Sequence, residues 1–304
     1  MSAQPRRPEA VRGLLLVALS AVGFGTLGIF GKLGSRAGLT LPTLLALRFG
    51  LAAVVLGSIL ALRGELRRPS LRRAAPVALM GVLYVGQASC FFGSLRTVPA
   101  AVTSILLYTY PVIVTLLARL LFAEGLTRVR LAALFAASVG VVVVVDPFGA
   151  RNLDPLGVAL GLGSAVVYSA YILCGSLLLR DVAALPATTG IAATAALSFT
   201  GAGAVTGQLR GFDATGWLVV VGIAAVPTVI AATAFLAGLR RVGPSVASTV
   251  STLEPASTAV LAALVLGETL SPAQLGGGLI VLVAAAILAR ATATAARVEA
   301  TAEH

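Results

Sequence analysis

Two ionisable side chains stand deep inside long apolar runs of this sequence. Glu254 lies about ten residues into the run 244–266 and Arg48 about seven into the run 41–62. At ~1.5 Å per residue each is on the order of 10–15 Å from the nearer end of its run. Charge at such depth is costly, and by default it marks a binding site, a proton relay or a buried pair. A carboxylate at Glu254 can hold a proton, a cation or a substrate ammonium; the competing reading has it bond neighbouring hydroxyls such as Thr252 or pair with Arg48. Arg48 reads either as a clamp between helices, held by carbonyls or a carboxylate, or as the contact for an anion or a substrate carboxylate. Pro255 follows Glu254, and Pro111 follows Tyr110. A proline inside a helix deletes one backbone hydrogen bond, so both positions read as helix breaks whose freed polar groups must face protein or a water-filled cavity.

Other polar and aromatic residues interrupt the apolar runs. Tyr84, Gln87 and Phe91 are spaced three and four apart and share one helix face, as do Tyr168 and Tyr171. Tyr108 and Tyr110, two apart, cannot face the same way on a helix. Thr228, Thr233, Ser248 and Thr252 add hydroxyls, and all five tyrosines lie within apolar runs, where a phenol needs a partner. Each reads either as packing or as part of a cavity wall. Lys32, Arg119 and Arg240 stand near run ends, from which long side chains snorkel to water. The chain has no GxxxxGK[ST], HExxH, CxxC or GxSxG; its single histidine, His304, is terminal; and Cys90 and Cys174 sit in apolar runs as small packing residues. Nucleophilic, metal-dependent and ATP-driven chemistry have no visible machinery, so neither an enzyme, a metal nor a cofactor is expected.

The elements that must carry these residues follow from composition. Of 304 residues, 58% are hydrophobic and 11% charged, with a mean hydropathy of +1.02. Soluble domains carry roughly 25% charged residues. Runs of about twenty apolar residues match a hydrocarbon core ~30 Å thick, and the chain reads as an all-α integral membrane protein. Ten spans are expected, near 13–33, 41–62, 74–95, 99–121, 128–145, 156–178, 185–206, 216–238, 244–266 and 273–290. The first exceeds a signal-peptide core of about 7–15 residues and reads as a retained span. A net charge of +11 raises nucleic acid as a partner, but the arginines sit between apolar runs, so the lipid bilayer is the expected partner.

A shift of 144 residues lays Leu95–Leu126 over Leu239–Leu270 with eleven identities in 32 and no gap, among them Pro111/Pro255 and Glu124/Glu268. The same shift superposes Ser20-Ala21-Val22 on Ser164-Ala165-Val166 and Leu41-Pro42 on Leu185-Pro186. The chain therefore divides into two five-helix repeats, 13–145 and 156–290, flanked by polar tails 1–12 and 291–304. Five is odd, so the second copy enters the membrane from the opposite side, an inverted-topology repeat of the kind associated with alternating access. With the N-terminus inside, sixteen basic residues fall on the cytoplasmic side and five, Lys32, Arg36, Arg96, Arg151 and Arg210, on the other. By the positive-inside rule both termini are cytoplasmic.

On this repeat, and most specifically on LRRVGPSVASTVSTLEPASTAVLAALVLGETLSPAQLGGGLIVLV with its weaker echo in the first half, the sequence resembles the EamA-type drug/metabolite transporter family. Leu47-Arg48-Phe49 and Gly267-Glu268 also look like that family's pattern, and the resemblance runs from about residue 13 to 290. One departure is that Tyr-Pro and Ala123-Glu124 stand in the first half where Glu-Pro and Gly-Glu stand in the second. The resemblance implies a secondary transporter of the bacterial cytoplasmic membrane, exporting small metabolites such as amino acids or drugs, driven by a substrate gradient or by protons. It implies a cavity lined by spans one, three, four, six, eight and nine, and so by Tyr84, Gln87, Phe91, Tyr108, Tyr168, Tyr171, Thr228, Thr252 and Glu254. An exchanger of phosphorylated or lipid-linked compounds would need several cations in that cavity, and only Arg48 lies at depth. A passive channel is the remaining alternative.

Overall fold

The computed structural model describes residues 7–65, 71–110, 112–114, 116–117, 128–145, 153–178, 182–235, 237–238, 241, 250–251 and 253–302. These residues are helical and contain no strand. The helices are α1 (Arg7–Arg36), α2 (Leu41–Leu62), α3 (Leu71–Ser94), α4 (Ala100–Leu107), α5 (Arg128–Val145), α6 (Pro155–Leu178), α7 (Ala184–Val205), α8 (Ala214–Ile223), α9 (Leu253–Leu261) and α10 (Pro272–Ala302). Wider π-helical turns extend α8 through Ala224–Ile230 and α9 through Ala262–Leu266. Helix is what an apolar setting demands, because it satisfies each backbone group within its own segment. The first and last helices run past their apolar stretches, starting at Arg7 and ending at Ala302; Ala, Arg and Glu, frequent there, have high intrinsic helix propensity.

Polar caps mark the loops. Thr40 accepts the Thr43 N–H at the start of α2, and Asp213 accepts that of Gly216 at the start of α8, 2.9 Å away. Asp154 caps α6 by accepting the Gly157 N–H at 3.0 Å and takes the Thr97 hydroxyl at 2.7 Å. Those bonds, Thr97 first, hold its carboxyl below the usual carboxylate range.

Five helical stretches are long and apolar enough to cross a membrane: Val11–Arg36, Leu41–Leu62, Ala74–Ser94, Pro155–Gly175 and Ala214–Phe235. Shorter apolar stretches cover Ala100–Val114, Leu131–Val144, Leu253–Leu266 and Pro272–Ile287. Large apolar side chains such as Leu15, Val54, Phe135, Leu197, Leu218 and Leu264 point outward, which suits lipid and not water.

The two halves of the chain pack across each other. The closest pairs are α5 with α10, α2 with α7, α3 with α6 and α7, α1 with α8 and α9, and α4 with α6 and α9, with α2 also against α8. Exchanging each helix for the one that lies in the corresponding span of the other half, α4 with α9 included, returns the same set. The α5–α10 pair meets backbone to backbone. A Cβ on Gly277 would lie 2.7 Å from the Gly140 carbonyl oxygen and 2.8 Å from the Val144 nitrogen, and one on Gly140 would lie 2.9 Å from the Gly277 oxygen. Neighbouring Gly276 faces open space. Gly277→Ala should therefore destabilise the fold by about 1–3 kcal/mol through overpacking, whereas Gly276→Ala should be neutral or gain up to about 1 kcal/mol of helix propensity. Thermal unfolding of the two purified variants checks this; equal midpoints would deny the backbone contact any part in stability.

Candidate functional site

A cavity of about 230 Å³ lies where α1, α3, α4, α6 and α9 converge, with α2 contributing one side chain. Its wall is aromatic on most sides: Phe24 from α1, Tyr84, Phe91 and Phe92 from α3, Tyr108 and Tyr110 just beyond α4, Tyr168 from α6 and Phe235 beyond α8. Gln87, Ser251, Arg48 and Glu254 are its polar members. A second cavity of about 140 Å³ adjoins it, sharing Phe24, Arg48 and Tyr84 and adding Tyr171, Pro227 and Thr228.

Arg48 stands at the partition between the two and is 2% exposed. Its position follows from a proline on another helix. Pro227 has no N–H to give the Ile223 carbonyl four residues back, and the backbone there widens into the π-helical turn. The Thr228 hydroxyl donates to that carbonyl at 2.8 Å and accepts from Arg48 Nε at 3.0 Å. The widened turn hands that carbonyl to a donor five residues on, and the Thr228 hydroxyl, sharing the same carbonyl, is thereby fixed as an anchor for the guanidinium. The guanidinium carbon lies 4.7 Å from the Phe49 ring centroid and 5.7 Å from that of Phe92, within cation–π range.

Glu254 is held by the same device. Pro255 leaves the Ser251 carbonyl without its helical donor, and the Tyr108 hydroxyl approaches that oxygen at 2.7 Å and Glu254 Oε2 at 2.9 Å. A phenol carries a single hydrogen, so with Glu254 ionised it cannot serve both acceptors fully. Nearby, Thr258 donates to the Glu254 carbonyl, 3.0 Å away, and lies 3.1 Å from the Gly25 carbonyl. Gly25 allows α1 to approach α9 here: a Cβ on it would stand 2.9 Å from Ser257 Cβ and 3.1 Å from the Glu254 carbonyl oxygen.

The five tyrosines form one line of ring contacts, Tyr84 to Tyr171 at 5.6 Å, Tyr171 to Tyr168 at 5.9 Å, Tyr168 to Tyr110 at 5.0 Å and Tyr110 to Tyr108 at 5.8 Å. The expectation that Tyr108 and Tyr110 cannot face the same way fails. The chain leaves α4 at Tyr108 and turns through Thr109, so helical spacing does not apply between them and both line the cavity.

Of the other residues singled out in the sequence, Tyr84, Gln87, Phe91, Tyr108, Tyr168 and Glu254 come together at the larger cavity, with Tyr171 and Thr228 at the smaller. Thr233 is exposed and bonds its own backbone. Pro255 falls in the first turn of α9. Thr252, Pro111, Ser248, Arg119 and Arg240 lie outside the described residues. The sequence reading missed Pro227, whose signal was a proline and a hydroxyl side by side in an apolar run, and it missed the surroundings of Glu268.

Glu268 follows Gly267, whose φ of 70° turns the chain in the left-handed region at the end of the π-helical extension of α9. The turn brings Glu268 Oε2 to the Ala100 N–H at 2.7 Å and Oε1 to Lys32 Nζ at 3.5 Å, while Arg36 donates to the Leu266 carbonyl at 3.3 Å. Lys32, near the end of its apolar run, pairs with this carboxylate. Glu268 thereby caps α4, whose own flanking residue is Pro99 with no side-chain cap, and ties it to α1 and α9. Glu268→Ala should lower stability by about 1–3 kcal/mol, the range for a charge-assisted hydrogen bond, and Lys32→Ala by less, because Ala100 keeps its partner. Unfolding followed by the fluorescence of Trp217 compares them; equal losses would assign the effect to the ion pair and not to the cap.

Residues 11–146 and 155–290 each match the model of the EamA-like transporter family. The chain is 28% identical over 271 residues to the threonine/homoserine exporter RhtA of Escherichia coli (strain K12), an overlap of 86% of this chain and 85% of that protein. RhtA of Escherichia coli O157:H7 matches to the same extent. A solved crystal structure superposes with a TM-score of 0.65 at 23% identity, covering 94% of this chain and 98% of the other, which is likeness of fold.

Proposed function

Because the chain belongs to the EamA-like transporter family, a family of membrane transporters and not enzymes, we infer that it is a secondary carrier that exports small metabolites by alternating access around the aromatic cavity. The observation that carries this reading is the cavity itself: a buried arginine, a half-buried carboxylate and a wall of rings, built from both repeats. Support for two inverted five-helix units, 13–145 and 156–290, with ten spans and cytoplasmic termini, comes from the packing set that survives exchange of the halves and from the charge bias of the loops. A bacterial cytoplasmic membrane fits the likeness to RhtA. At about 230 Å³ the cavity is smaller than the ~300–1,000 Å³ usual for drug-sized ligands, which favours metabolites of amino-acid size. The threonine and homoserine of the RhtA name are therefore the first substrates to try.

Proton coupling enters through Glu254. Facing it are Tyr108, Tyr110 of the same segment beyond α4, Tyr168 from α6 and Arg48 from α2, while α1 presents only apolar or backbone groups. With a proton on the carboxyl, Tyr108 is free to donate to the Ser251 carbonyl and Glu254 to donate to Tyr108; with the proton gone, the phenol hydrogen turns to the carboxylate and releases that carbonyl. Protonation thus alters how a segment from the first repeat grips α9 of the second, which is the kind of differential contact that can bias two conformations.

Counterflow in proteoliposomes tests the reading. Vesicles loaded with unlabelled amino acids should accumulate a labelled member above equilibrium. Folded protein that gives only downhill leak without accumulation would make it a channel.

A further inference from the structure

Resting on the carrier reading, we propose that Arg48 and Glu254 read the two ends of a zwitterion, the carboxylate at Arg48 and the ammonium at Glu254. Both charges border one cavity of about 230 Å³. Among the described residues the ion pair is Lys32 with Glu268, and neither Arg48 nor Glu254 has an opposite charge within 4.0 Å. An uncompensated charge removed from water carries a desolvation penalty, heaviest for the buried Arg48 and smaller for the half-buried Glu254, and these two do not relieve it by meeting. Each is held back by a hydroxyl fixed on a proline-freed carbonyl: Thr228 on Ile223 for Arg48, Tyr108 on Ser251 for Glu254.

Among the described residues the remaining wall carries no formal charge, so the cavity presents one positive and one negative group within a ring-lined wall. A ligand with a single charge leaves the opposite end uncompensated. A dicarboxylate or a diamine sets like charge against one end. A neutral amino acid satisfies both and lays its side chain on the aromatic wall, where Phe91 and Tyr168 stand. Arg48 also suits a carboxylate geometrically, since the guanidinium has five N–H donors in a planar fork and Thr228 takes only the Nε–H.

The test is binding to the full-length protein in detergent, read as a ligand-dependent rise in the thermal midpoint. The ligands are alanine, threonine, homoserine and leucine, the amide of each (a cation) and the N-acetyl derivative of each (an anion). At least one free amino acid should bind, and its two derivatives should bind at least about thirtyfold more weakly, because each leaves one of the two cavity charges without its partner. Arg48→Gln should close the gap between amino acid and amide while keeping the gap to the N-acetyl derivative, and Glu254→Gln should do the converse. An amide or N-acetyl derivative that binds wild-type protein as tightly as its parent overturns the proposal, as does the failure of every free amino acid to bind, and both readings use wild-type protein alone. Failure of the carrier reading looks different: discriminating binding would persist while counterflow was absent.

Discussion

Glu254→Gln will abolish acceleration of export by an imposed proton gradient and flatten the pH dependence of exchange, while the protein still folds. Glutamine keeps the shape of the side chain and accepts the Tyr108 hydroxyl, so the contact with the segment beyond α4 survives; what it lacks is a proton to gain or lose. If the carboxylate also holds the ammonium of the substrate, the same change costs at least about thirtyfold in affinity, the lower end of the range for losing one partner of a charge pair. Export into a medium of varied pH, with thermal unfolding as the control for folding, gives the answer. A variant that retains its pH dependence removes Glu254 from coupling. Tyr108→Phe is the companion change: it leaves the carboxyl in place but deletes the hydroxyl that links it to the Ser251 carbonyl, so coupling should weaken without vanishing.

Arg48→Lys will lower substrate affinity about 10–100-fold, as expected when one charge-assisted hydrogen bond of a bidentate set is lost, with a smaller effect on the thermal midpoint. The charge survives, but the planar fork and the Nε–H that Thr228 accepts do not. Binding isotherms and unfolding curves on one preparation separate the two roles of this residue. A fall in stability with unaltered affinity would make Arg48 a clamp between α2 and the π-helical turn after α8. Thr228→Val probes the anchor alone, since it leaves the Arg48 Nε–H without its acceptor while the backbone of the π-helical turn is unchanged.

The sequence made legible what repeats or what is rare. Two halves 144 residues apart, and one acid and one arginine at depth, could be read because the first leaves identities in register and the second stands out against apolar runs. The cavity set carried over from family resemblance came together in large part, because helix faces obey the spacing that joins Tyr84 to Gln87 and Phe91. Local departures from helix were not legible. Tyr110 joined Tyr108 because α4 ends at Tyr108, and Arg48 found its place because Pro227 widened a turn 180 residues further along the chain. A proline in an apolar run announces an orphaned carbonyl but not which distant hydroxyl and cation will answer it. Glu268 was legible as a motif but not as the cap of Ala100, because a partner 168 residues away leaves no local signal.

Arg48 and Glu254 have no charged counterparts, since Ala192 and Tyr110 occupy the matching places of the other repeat, and each is anchored by a hydroxyl from the half to which it does not belong. Symmetry gives this a consequence. Two identical half-chains related by a two-fold axis would face either two arginines or none, and two acids or none, so any dipole perpendicular to the axis would cancel. Fusing the halves into one chain lifts that constraint, and a single cavity can then be polarised from end to end. A head-to-tail substrate can then be held in a single orientation, and two copies of either half paired symmetrically would lose that polarity even if every helix packed as before.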